Sequence, residues 1–402
     1  MSSNGDILIS GASIAGSALA YWLRRHGFNP TVVERALVLR DGGYKIDVRG
    51  TAVKVSERMG IMSEVRRAST EMRGASFVDS AGKRLATMDA DLFGGREGDD
   101  VEIMRGDLAC ILYEATRDDV EYIFDGSIAG ISQDEHGAEV TFESGEQRTF
   151  DLVVGADGLH SNVRTLAFGD ESEFIRHLGH YISIFTTANH MDLDRWELLY
   201  AAPGKTANVY STRQNTEAKA MLLFASPLLD YDRHDGEQQK KILAQTFAGE
   251  GWEVPRLLDS MWVAPDFYFD SISQVHMDRW SNGRVALVGD AGYGPSPASG
   301  QGTSLALVGA YVLAGELAAA RGDHHIAYAR YETEMREFVE QNQRLAPGNL
   351  KGMVLRSQSQ IWFQTRMVRM LPYMPWKNLI VGRVTQAIHK AATAITLKDY
   401  RG

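Results

Sequence analysis

The chain has 402 residues, of which 44% are hydrophobic and 23% charged, and its formal net charge is −10. That length holds two domains or one large domain with an insert, and the composition excludes a disordered or fibrous chain. The acidic balance argues against a general nucleic-acid binder, which presents a basic face.

The first residues, Met1-Ser-Ser-Asn-Gly-Asp6, lack the basic and apolar regions of a secretory signal. Ile7-Leu-Ile-Ser10 then reads as a buried parallel strand. Gly11-Ala-Ser-Ile-Ala-Gly16 follows and opens a helix over Ser17 to His26, which Gly27 stops and Pro30 keeps from resuming. Thr31-Val-Val33 is the next strand, ending at Glu34, 23 positions after Gly11. A strand, glycine turn, helix and second strand closed by an acid form a dinucleotide-binding unit. Gly11 permits the tight turn, Gly16 lets the helix approach the strand, and the amides of Ser13, Ile14 and Ala15 are placed for a pyrophosphate. Glu34 is the candidate acceptor for ribose hydroxyls. Ser13 stands where a second glycine is usual, so this turn alone also fits a plain β-α-β unit.

Leu108-Ala-Cys-Ile-Leu-Tyr113 sets the single cysteine, Cys110, among apolar residues, which suggests a core helix position. With no disulfide available, the cytoplasm is the simplest compartment. Two further turns strengthen the nucleotide reading. Phe150-Asp-Leu-Val-Val-Gly-Ala-Asp-Gly158 is a strand entering a turn, followed by Leu159-His-Ser-Asn-Val-Arg164. Later, Gly283-Arg-Val-Ala-Leu-Val-Gly-Asp-Ala-Gly292 ends a strand in Gly289 and Asp290. It continues through Pro295-Ser-Pro297-Ala-Ser-Gly300-Gln301-Gly302 into an apolar helix over Thr303 to Ala320. An aspartate at a strand end suits ribityl hydroxyls. The amides of Gly300, Gln301 and Gly302, backed by a helix dipole, suit the negative pyrimidine edge of a reduced flavin.

With these three turns in this order, residues 5–345 resemble the class A flavoprotein monooxygenases related to para-hydroxybenzoate hydroxylase. The Pro297-to-Gly302 loop and the chain length are most similar to the short, tetracycline-inactivating type. The resemblance implies one non-covalent FAD, reduction by NADPH or NADH, and a flavin C4a-hydroperoxide that transfers oxygen from O2 to an aromatic, phenolic or polyketide-like substrate. It places Arg105 near the FAD, and Gly42-Gly43 with Asp47 near flavin and nicotinamide, with Arg35 and Arg40 in the same neighbourhood. It also puts Asp157, Gly158 and Arg164, and Pro297, Thr303 and Ser304, around the cofactor. Two departures, Asp290-Ala-Gly-Tyr293 and Ser304, fall where the family contacts flavin or substrate, so they bear on substrate class.

The implied fold is mixed α/β: a Rossmann-like FAD domain over 1–70, 97–170 and 280–345, with an inserted antiparallel sheet from 71–96 and 171–279. Runs such as Leu198-Leu-Tyr200, Ala207-Asn-Val-Tyr210 and Ala220-Met-Leu-Leu-Phe224 read as its strands. Tyr200, Tyr210 and Arg213 are candidates for helping to deprotonate a phenol, each also readable as structural. The segment 346–402 is expected to be helical. From Lys351 onward it carries nine cations against one acid, Asp399, which suits helices laid across an acidic body; contact with a membrane surface or attraction of an anionic ligand are the alternatives. No run of about 18 apolar residues predicts a membrane span. The histidines at 177, 180, 324 and 325 lack ligand spacing, so no metal is expected. Rival readings are a flavin reductase or dehydrogenase, a flavin-dependent halogenase (its Trp-x-Trp-x-Ile-Pro signature is missing), and a non-catalytic ligand-binding flavoprotein.

Overall fold

A computed structural model describes residues 5–39, 42–375 and 377–400. Its first layer is a six-stranded sheet in the order Ser281–Asn282, Val285–Leu287, Leu152–Gly155, Asp6–Ser10, Asn29–Glu34, Glu121–Phe124. All neighbours run parallel except the first pair. Ile7, Leu8, Ile9, Val153 and Val154 are fully buried, as strands covered on both faces require. Helix Ile14–Arg25 crosses one face and packs on helix Gly302–Ala319.

That second helix is the one place among the described residues where length and composition alone would also suit a membrane span. It is instead the core helix of the fold, with Thr303 through Leu317 buried without interruption. Length and hydropathy do not separate the two cases; neighbours on every side do.

The other large layer is a seven-stranded sheet ordered Tyr268–Val275, Ile175–Ala188, Glu217–Ala225, Lys205–Tyr210, Trp196–Ala202, Gly74–Val78, Arg84–Asp89. The hairpin at 74–89 extends it through a parallel pairing of Gly74–Val78 with Trp196–Ala202, while its other pairings are antiparallel. Because side chains alternate across a strand, its two faces have separate cores. Tyr181, Phe185, Leu222 and Phe224 pack outward against Leu243 of helix Gly236–Thr246 and Leu257 of helix Val254–Val263. Ile182, Ile184, Leu223 and Ile272 face inward with Leu350 and Val354. The sequence reading missed the three-stranded sheet Ile128–Gln133, Ala138–Phe142, Gln147–Phe150 and the two-stranded one, Lys45–Val48 with Val101–Met104.

Helices Gln358–Met370 and Lys377–Ala392 follow, and the chain end returns to the core helix. Lys398 Nζ and Tyr400 Oη each donate to Glu316 at 2.8 Å, giving that buried carboxylate the partners it needs. Trp362 and Phe363 remain exposed on helix Gln358–Met370. Cys110 is exposed too. It occupies the outer side of helix Arg105–Glu114, whose buried side carries Leu108, Ala109 and Leu112, a correction to its expected core position.

Candidate active site

The three glycine-bearing turns, far apart in sequence, open onto one cavity of about 420 Å³ between the two large sheets. Gly11 has φ +105°, and an added Cβ would stand 2.6 Å from the Ala156 carbonyl oxygen. A Cβ on Gly16 would overlap the Gly11 carbonyl oxygen. Gly16 therefore serves the strand–helix crossing and does not line the cavity. Ser13, Ile14 and Ala15 do line it. The helix they begin has no side-chain cap, which leaves its first amides open to a ligand.

Ser13 has φ −94° and ψ −162°, a conformation open to any residue, so glycine is not needed there. Its hydroxyl accepts a 2.7 Å hydrogen bond from Arg105 Nη2. The departure from the glycine pattern is thus a docking point for the arginine. Glu34 receives the Ala12 amide on one oxygen and the Ala36 amide on the other, each at 2.9 Å. The carboxylate is fixed at the cavity wall with lone pairs to spare.

Asp157 and Gly158 line the cavity. Burial raises the Asp157 pKa against hydrogen bonds from Ser161 and the Val163 amide. Asp290 is open to the cavity yet enclosed by the fold. That confinement raises its carboxyl pKa, with Arg105 opposing. Asp47 Oδ2 takes Arg49 Nη2 at 2.7 Å, and its buried Oδ1 is ion-paired with Arg96 at 3.5 Å. Arg35, Pro297, Gly300, Gly302 and Thr303 also reach the wall.

Several expected site residues lie elsewhere. Arg164 is fully buried and donates to the Ala291 and Leu159 carbonyls at 2.9 and 2.6 Å. It ties the second turn to the third instead of offering its charge to phosphate. Gly289, with φ +66°, shapes the turn from behind and approaches Ala15. Gln301 is buried, and its amide is taken by Ser299 Oγ. The Gly300 amide donates to the Pro297 carbonyl. Of the three amides expected at the helix start, only that of Gly302 stays uncommitted by the loop. Ser304 is buried and points to the Arg49 carbonyl. Arg40 lies outside the described residues.

The catalytic candidates divide. Tyr200 belongs to the outward face of its sheet and donates to Glu250 at 3.1 Å, because strand alternation turns it from the cavity. Arg213 donates to the Arg67 carbonyl and lines a separate cavity of about 170 Å³. Tyr210 lines the main cavity. Burial pushes its phenol pKa up, with Lys45 opposing.

The sequence reading missed Lys45 and His160. Lys45 is ion-paired at 2.6 Å to Glu197 and 3.6 Å to Glu102, and sits 4.9 Å from the Tyr210 ring centroid. His160 bridges Glu171 and Asp270 at 3.1 Å each. Burial opposes its charged form, but Asp270 and Glu171 outweigh that and leave the imidazole pKa raised. Neither network joins near neighbours in sequence, so neither left a local signal. Among the described residues no group of histidine, cysteine and carboxylate side chains could hold a metal.

A glycine-shaped turn, an uncapped helix start and a poised acid on one wall fit a dinucleotide. The chain matches the FAD binding domain family over residues 4–346. It is 46% identical over 337 residues to a flavin-dependent monooxygenase of an unknown prokaryotic organism, covering 84% of this chain and 87% of that one. It is 44% identical over 344 residues to one from Legionella longbeachae, covering 86% and 88%. The crystal structure of tetracycline destructase Tet(55) superposes with TM-score 0.85 at 40% identity, over 100% of both chains. The chain belongs to the FAD binding domain family and, within it, to the flavin-dependent monooxygenases.

Proposed function

We propose that the protein is an NAD(P)H-consuming hydroxylase that inserts one atom of O2 into an aromatic, phenolic or polyketide-like small molecule. The convergence of the three separated turns on a single cavity carries this reading. Bound FAD would supply the redox chemistry, passing two electrons from the nicotinamide to O2 so that one oxygen enters the substrate and the other leaves as water.

The chain's own residues do the rest. Glu34, held by two backbone amides, would take the adenosine ribose. The amides at Ser13–Ala15, with Arg105 docked on Ser13, would face the pyrophosphate. Asp290 and Asp157 would meet the ribityl side. The Gly302 amide and the helix dipole behind it favour an anionic ring edge. The inward face of the seven-stranded sheet closes the far side and keeps water out.

The test is to purify the protein, quantify flavin, and follow NADPH and NADH oxidation with oxygen uptake in the presence of phenols, then weigh the products. About one FAD per chain and a mass gain of one oxygen are expected. Nicotinamide oxidation that never yields an oxygenated product would make it a reductase. A colourless protein that takes up no FAD would overturn the reading altogether.

A further inference from the structure

We infer that the substrate chamber admits an uncharged, hydrocarbon-rich ring system carrying one hydrogen-bond acceptor, and that Tyr210 orients that acceptor. The inference rests on the monooxygenase reading for the use of the cavity.

The seven-stranded sheet contributes Ile182, Ile184, Met221, Leu223, Ile272 and Tyr210 to the cavity wall. Five of those six are aliphatic. Register makes them one patch: Ile182 pairs with Leu223 and Ile184 with Met221 on adjacent strands. Met353 and Ala298 add apolar surface from helix Leu345–Met353 and the Pro297 loop, and Thr206 Oγ1 anchors the Met353 carbonyl at 2.7 Å.

No charged residue of this sheet lines the cavity. Glu34, Arg35, Asp47, Arg105, Asp157, His160 and Asp290 all come from the nucleotide side. Lys45, nearest the patch through Tyr210, is already matched by Glu197 and Glu102, so it offers no uncompensated positive charge. A carboxylate or ammonium laid on the patch would lose its hydration without gaining a partner, which is strongly unfavourable.

Tyr210 is the one polar residue that this sheet contributes to the cavity lining. Its oxygen accepts the Lys45 amide at 3.2 Å, and its own proton has no acceptor among the hydrogen bonds of the described residues. Burial keeps the phenol neutral. The arrangement leaves a preset donor beside an aliphatic floor, which distinguishes one acceptor on an otherwise apolar ligand.

The probes are 2-naphthol, 6-hydroxy-2-naphthoate, 2-naphthylmethylammonium and naphthalene, titrated into the FAD-loaded protein by flavin absorbance and by calorimetry. 2-Naphthol should bind at least about tenfold tighter than either charged probe. Tyr210→Phe should weaken 2-naphthol about fivefold, the loss of one hydrogen bond, and leave naphthalene unchanged. Met221→Lys, at a half-buried position, should reverse the preference toward the carboxylate. Equal affinity for neutral and charged probes, no saturable 2-naphthol binding, or equal losses for naphthol and naphthalene in Tyr210→Phe would overturn the inference. Should the protein take up no flavin, calorimetry without it still reads the chamber, so failure of the proposed function is seen separately.

Discussion

The two walls of the cavity are built on different physical terms. On the parallel-sheet side, what faces the ligand is largely backbone: the turn at Gly11, the amides of Ser13–Ala15 and the start of helix Gly302–Ala319. Of its side chains, Glu34 is held by the Ala12 and Ala36 amides and Arg105 by Ser13. On the other side the backbone is consumed by strand pairing, and only side chains speak. Ile182, Met221 and Ile272 come from three strands, and Tyr210 from a fourth. One wall suits a ligand that never changes, because main-chain geometry is hard to vary one residue at a time. The other can change specificity by single substitutions without disturbing the fold.

The largest expected effect comes from adding one methyl group behind the backbone wall, at the strand–helix crossing. Gly16→Ala drives its Cβ into the Gly11 carbonyl; we expect a loss of about 3 kcal/mol in urea denaturation together with FAD retention. An unchanged midpoint would show that the strand–helix approach is looser than described. Glu34→Ala follows. It leaves two amides and the proposed ribose contact unpaired, and FAD affinity should fall by about 2 kcal/mol in equilibrium dialysis, with folding far less affected.

Ser13→Ala removes the 2.7 Å bond to Arg105 and should weaken FAD by about 1 kcal/mol. An equal loss from Ser13→Gly would assign the effect to the hydroxyl rather than to backbone freedom. The smallest effect is a pH slope. His160 has a pKa raised above 6.5 in the folded protein by Asp270 and Glu171, against the cost of burial. Its protonated form binds more strongly in the native state than in the unfolded one, so its contribution is complete below pH 6.5 and disappears as pH rises through the raised value. The melting temperature should fall over that window, and His160→Gln should flatten the fall. An identical profile in the variant would place the slope on other groups.

What the amino-acid sequence determined by itself was the nucleotide side. Gly11, Gly16 and Glu34 stand at fixed spacing inside one strand–turn–helix–strand unit, and Asp157 and Asp290 each stand a few residues past the end of a strand. These features depend on covalent neighbours, so they are written locally. Tertiary structure alone decided which of the neighbouring groups face the ligand. It drew Arg164 and Ser304 inward to backbone carbonyls and committed the Gly300 and Gln301 amides to their own loop. It also turned Tyr200 outward while Tyr210 faced in, and paired Lys45 with Glu197 across 152 positions of sequence. The reason is that a side chain's direction is set by strand register and by partners distant in the chain, and neither has any local signature to read.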